Sequence, residues 1–241
     1  MTHNKARKNR KPAAWKQLAD GQLDRAIFLD FESFKNGDPL LAGVQIDGHF
    51  KQVVFDQRLA LAALHKNLEL VEPTAWALSL VERAIGDDRP IVGFTETEFE
   101  GLAELGAELP DRRYVNARKI AKPWRRKFRP SEHKQVARNL RQFAKSKSSR
   151  QRSRSHSKEG NRLIDYTVLV GVVPPHMYAH RRVTKRLRSV LQQLDRRGAY
   201  SRLTRTAKAN WTNVLDHNRF DVEGLAEMLH RMIGDHSAAS V

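Results

Sequence analysis

Runs and alternations of apolar residues divide the chain into short strands and longer helices. The stretch "AIFLDFES", residues 26–33, is apolar except for Asp30 and Glu32. It predicts a buried strand with two acids on one face, because residues two apart on a strand point the same way. "PLLAGVQIDGHFKQVVFD" predicts a hairpin turning at Asp47-Gly48, so that three antiparallel strands follow one another. In "EPTAWALSLVERAIGDD", Trp76, Leu80 and Ala84 recur every fourth residue, the pattern of an amphipathic helix ended by Gly86. A short buried strand, "RPIVGF", comes next. Thr95 and Glu98 then match a capping box at the head of a helix with Phe99, Leu102 and Leu105 on its apolar side. "RRYVNARKI" predicts a fifth strand.

From Lys122 to Asn161 the pattern dissolves into basic and serine-rich sequence, which predicts a flexible loop inside or beside a basic helix. Helical spacing returns in "RLIDYTVLVGV", in "VTKRLRSVLQQLDRRG" ended by Gly198, and in "SRLTRTAKANWTNVL" running into "HNRFDVEGLAEMLHRMIG". In this last part Trp211, Leu215, Asn218, Val222, Leu225 and Leu229 mark the side facing the core, and His217, Asp221 and Gly224 form the adjacent stripe. The order is three strands, a helix, a strand, a helix, a strand and then helices. That order predicts an α/β ribonuclease H-like mixed sheet with flanking helices. Residues 1–24 read as a basic mobile arm, with order beginning near Ala26, and residues 25–241 as one domain carrying a basic, partly disordered insertion at about 122–161.

Composition narrows the chemistry. The 241 residues contain no apolar run long enough to span a membrane, and "MTHNKARKNRKPAAW" lacks the apolar stretch of a secretory signal, so the expected location is cytoplasmic. There is no cysteine, which leaves oxygen and histidine as metal ligands and makes magnesium or manganese the first candidates. The net charge of +17 is local: residues 112–158 hold 18 Lys or Arg and one acid, Glu132. Such a block attracts phosphate polymers, and aromatic residues within "KPWRRKFRP" favour nucleic acid over an anionic membrane. On this reading Trp124 and Phe128 offer rings to bases, while Arg125, Arg126, Lys127 and Arg129 hold phosphates.

Two carboxylates side by side on a strand are unfavourable unless a positive charge lies between them. Further acids stand where they could meet Asp30 and Glu32: Glu96, Glu98 and Glu100 after the fourth strand, and His217 with Asp221 on one helical face. Glu98 taken alone reads as a capping residue rather than a ligand, because Thr-x-x-Glu needs no other explanation. "HMYAH" sets His176 and His180 four apart, but it lacks the glutamate of His-Glu-x-x-His and follows two prolines, so it reads as a loop or helix start.

Together these residues resemble the DEDD superfamily of 3′-5′ exonucleases. Its first motif, Asp-x-Glu, is matched by "LDFES", and its last, a Tyr or His followed by Asp, by "HNRFDV". "LDHNRFDVEGL" is also similar to the Tyr-Asn-x-x-Asp-Val ending of predicted RNase H-like nucleases of bacteria. The resemblance covers roughly residues 25–118 and 161–232. It departs from the family in the middle motif, where no Asp occurs between Asp88 and Asp111, and in the spacing of His217 and Asp221, which is that of the tyrosine subclass. The resemblance implies a metal-dependent nuclease acting on single-stranded RNA or DNA with two divalent ions. Asp30 would bridge the ions, and Glu32 with Glu98, or Glu100 in its place, would complete one of them. Asp221 would hold the other or its water, and His217 would accept the proton of the attacking water. An inactive nucleic-acid-binding protein of the same fold is the alternative, and a basic component of a ribonucleoprotein assembly is a third.

Overall fold

The computed structural model describes residues 14–34, 37–146, 161–175, 178 and 183–239. Among these residues the centre is a six-stranded mixed sheet in the order β4-β3-β2-β1-β5-β6. Its strands are β1 (Ile27–Ser33), β2 (Pro39–Ile46), β3 (His49–Val54), β4 (Glu69–Leu70), β5 (Ile91–Gly93) and β6 (Tyr114–Asn116). The first three pair antiparallel, as the pattern predicts. Their hairpin turns where expected: Asp47 (φ 52°) and Gly48 (φ 77°) both take left-handed backbone, as a two-residue turn matching strand twist requires. β5 and β6 extend the other side of β1 in parallel.

Alternation along β1 sorts its side chains between two helical layers. Ile27 and Leu29 face one cluster with Ala77, Leu80, Val81 and Ala84 of α2 (Pro73–Gly86) and Leu102 of α3 (Thr97–Glu104). Phe28 faces the opposite cluster, with Leu225 and Leu229 of the last helix and Ile120 and Trp124 of α4 (Ala117–Phe128). Asp30 and Glu32 share the Phe28 face by the two-residue period. The expected acids thus emerge beneath the last helix.

That helix is α8 (Arg205–Ala238), a single 34-residue element, started by Thr204, whose hydroxyl accepts from the Ala207 amide at 3.2 Å. Its first half packs on α1 (Ala60–His65) and α7 (Val183–Arg197), with Trp211 fully buried and donating from Nε1 to the Ala62 carbonyl at 3.1 Å. Its second half meets α4 and α6 (Leu163–Leu169).

Four sequence expectations change. The fifth strand has three residues, because Asn116 caps α4 by accepting from the Lys119 amide at 3.3 Å, and "ARKI" begins that helix. The mobile arm is shorter than 1–24: Ala14–Leu18 form a helical turn, and Leu18 and Leu23 are buried in the core. The basic insertion opens as two helices, α4 and α5 (Pro130–Ser146), and the serine-rich residues 147–160 lie outside the described residues, as do His176 and His180. The short elements α1 and β4, with no strong periodicity of their own, were not anticipated. Among the described residues no helix is long and apolar enough to cross a membrane.

Candidate metal centre

The centre of β1 and the middle of α8 meet at a glycine. Gly43 of β2 is the register partner of Asp30, and a Cβ at Gly43 would lie 2.9 Å from Asn218 Cγ. Only a residue without a side chain lets α8 approach the sheet this closely. Asn218 donates from Nδ2 to Asp30 Oδ2 at 2.8 Å and to the Asp30 carbonyl at 3.1 Å. Its own Oδ1 accepts from Gln52 Nε2 at 2.8 Å, and Gln52 Nε2 also reaches the Leu215 carbonyl at 3.0 Å. Asp30 is therefore fixed by a buried amide chain linking three elements.

One turn of α8 brings the rest of the site over the strand end. His217 Nε2 stands 3.4 Å from Asp221 Oδ2 and 3.9 Å from Glu32 Oε1. Ligand atoms of Glu32, His217 and Asp221 all lie within 4.8 Å of one another. Glu98, at the head of α3, is buried, and its Oε2 accepts from the Thr95 amide at 3.1 Å and from the Tyr114 hydroxyl at 3.2 Å. Gly93 makes room for it, since a Cβ there would be 2.7 Å from Glu98 Oε2. Glu100 is exposed, and Glu96 pairs with Lys119 at 2.5 Å. Glu98 is thus the glutamate of "GFTETEFEGL" that shares the interior with the other acids.

The electrostatics follow from crowding. Burial, followed by the charges of Glu32, Asp221 and Glu98, holds the Asp30 carboxyl well above the ordinary range, against the lowering effect of the Asn218 hydrogen bond. Burial and then Asp221 raise Glu32 in the same way. Burial lifts Asp221 to about 7, with the Tyr178 hydrogen bond opposing it. Among the described residues no Lys or Arg forms an ion pair with any of these acids. Acids that raise one another's pKa in one buried cluster favour a cation among them, so this group could hold a divalent ion, and oxygen ligands suit a hard one. His217 could add a nitrogen ligand beside Glu32 and Asp221, or serve as the proton acceptor expected of it.

Tyr178 completes the site and was missed. Its hydroxyl donates to Asp221 Oδ1 at 2.9 Å, and its ring stacks on His217 with centroids 4.3 Å apart. The sequence places it inside "HMYAH", where the histidines drew attention. Asn218 was read as part of the core stripe, and an amide at a core position was the signal of a buried polar contact.

The expected nucleic-acid residues divide. Trp124 is 1% exposed and donates from Nε1 to Asp235 Oδ2 at 3.0 Å, so its ring belongs to the core and cannot stack on a base. Phe128 is half-buried, edge-on to His236 at 5.1 Å. Arg125 Nη1 lies 3.0 Å from His133 Nε2, and Arg129 lies over the Trp124 ring. Arg126 and Lys127 are exposed and remain open to phosphate.

Set beside known proteins, the chain matches no family model, and no curated protein or solved structure is significantly similar to it.

Proposed function

We propose that the protein is a metal-dependent nuclease on an RNase H-like sheet, hydrolysing phosphodiester bonds at the ends of single-stranded RNA or DNA. The observation that carries this reading is the convergence of Asp30, Glu32, Glu98, Asp221 and His217, from β1, α3 and α8, at the end of the central strand. The strand order, with β1 flanked by an antiparallel hairpin and two parallel strands, supports the fold assignment.

Asp30, Glu32, Glu98 and Asp221 would hold divalent cations, magnesium or manganese. When bound, such ions supply Lewis acidity at the phosphate and a more acidic attacking water. Asn218 keeps the Asp30 carboxylate in one orientation, and the stacked Tyr178 ring fixes the plane of His217. His217 Nε2, directed at Glu32 and Asp221, is placed to accept the proton of water attacking from their side. The exposed Arg126 and Lys127 of α4 would hold the substrate backbone.

The second reading is an inactive nucleic-acid binder. It is favoured by one observation: Glu98 Oε2 is already taken by Thr95 and Tyr114, which leaves less of this carboxylate for an ion. The deciding experiment gives purified protein end-labelled single-stranded RNA and DNA with magnesium, manganese or EDTA, beside an Asp30→Asn plus Asp221→Asn variant. Metal-dependent shortening lost in the variant supports the nuclease. Shortening that survives the double substitution sinks the site, and binding without shortening under any condition favours the binder.

A further inference from the structure

A second charged pair lies at the start of α6, separate from the carboxylates. Asp165 of α6 is fully buried, and its oxygens are taken by the preceding turn: Arg162 donates from its amide at 2.9 Å, from Nε to Oδ2 at 3.0 Å and from Nη2 to Oδ1 at 2.7 Å. A buried ion pair adds little net stability, because desolvating both charges offsets their attraction. Leu163, Ile164, Tyr166 and Val170 already anchor this segment in the core. The pair instead fixes a guanidinium. It engages Nε and Nη2 of Arg162 and leaves Nη1 outside the grip, on a side chain 26% exposed.

Two contacts set the direction in which α6 lies along α8. Arg231 Nη1 donates to the Val170 carbonyl, and a Cβ at Gly224, one turn beyond Asp221, would stand 3.3 Å from Thr167 Cγ2, so α6 runs in the same direction as α8 and its N-terminal end, with Arg162, points back toward Asp221. The Asp165 pair, and behind it Tyr178, holds the Arg162 pKa up, and the Tyr178 hydroxyl rests on Asp221. Arg162 makes no ion pair with the four acids, so it does not neutralise the centre.

We infer that Arg162 is a substrate-binding residue of this site, its free guanidinium edge taking a backbone phosphate adjacent to the scissile bond, with Asp165 as its positioning residue. The inference rests on the nuclease reading above and adds a phosphate contact to those of Arg126 and Lys127. Guanidinium suits the task because its planar fork can bind a carboxylate on one edge and a phosphate on the other.

The test compares wild type with Arg162→Gln, Arg162→Lys, Asp165→Asn and the Arg162→Gln/Asp165→Asn pair, the last removing both charges so that no lone carboxylate is left buried. Binding of a labelled single-stranded oligonucleotide is titrated across salt concentrations in EDTA. Cleavage is measured with manganese, and thermal melting is recorded for each protein. Loss of one charged phosphate contact raises KM roughly tenfold with little change in kcat. It also reduces the salt slope of binding by about 0.7 in Arg162→Gln and in the pair. Arg162→Lys recovers the slope but only part of KM, and Asp165→Asn raises KM while keeping most of the slope. A KM and slope unchanged from wild type, or a fall in melting temperature alone, overturns the inference. Wild type that binds but does not cleave refutes the nuclease reading and leaves the slope to decide Arg162. Wild type that does neither refutes both.

Discussion

Asn218 donates from Nδ2 to Asp30 Oδ2 at 2.8 Å, across the point where α8 lies on the sheet. The contact exists because Gly43 has no side chain, and it ties the placement of α8 to the orientation of the first acid. Gly43→Ala forces Asn218 away and overpacks the junction, at a cost of about 1–3 kcal/mol. Asn218→Ala leaves the packing but loosens Asp30, lowering activity by about 10–100-fold. Urea unfolding and initial cleavage rates separate the two effects. Equal rates in Asn218→Ala and wild type would show that Asp30 needs no such support.

Glu98 and Glu100 differ in burial although they are two residues apart. Glu98→Gln is expected to reduce metal-dependent cleavage by about a hundredfold or more, while Glu100→Gln keeps at least about half of the wild-type rate. Steady-state rates at saturating manganese check this. The reverse order would move the middle ligand to Glu100.

The metal-free protein should lose stability as pH rises. Asp30, Glu32 and Asp221 have folded pKa values above those of the unfolded chain, for Asp221 about 7. Between the unfolded value near ~4 and the folded ones, the native state binds more protons, so its stability falls with increasing pH. The contribution is complete below the unfolded pKa and is lost as pH rises through about 7 for Asp221. In EDTA the melting temperature should therefore be higher at mildly acidic pH than at mildly alkaline pH. Manganese should raise it more on the alkaline side, where the carboxylates are ionised and free to bind. A metal-induced rise that does not grow with pH would count against a carboxylate site.

Trp124 offers a test between core and interface. Trp124→Ala should cost about 3–5 kcal/mol of stability, because it empties a fully packed site and removes the hydrogen bond to Asp235. Arg126→Gln with Lys127→Gln, both exposed, should leave stability within about 0.5 kcal/mol and reduce the salt slope of single-strand binding by roughly 1.4. Chemical denaturation and anisotropy titrations across salt read the two quantities. A Trp124 variant that is fully stable and binds weakly would restore the base-stacking role.

The three-strand hairpin unit, the helix frame and the two acids of "AIFLDFES" are legible along the chain, because strand alternation and helical spacing are local properties. So was the pairing of His217 with Asp221, four residues apart on one helix. The capping signal at Thr95 drew attention to Glu98, but its burial beside Tyr114 depends on β6, many residues later. Local pattern also misled: in "KPWRRKFRP" the charges outnumber the rings, and only the docking of α4 on α8 shows that Trp124 faces inward.

What the tertiary structure alone decided are contacts between residues far apart in sequence. Gly43 against Asn218, Tyr178 against Asp221 and α6 against Gly224 have no local signature. Each depends on where a long helix crosses the sheet, and that crossing is set by the summed packing of apolar side chains in all the layers. The sequence by itself determined which elements form and which face of each is apolar. The structure decided which acids share one buried cluster, and so which of them raise one another's pKa.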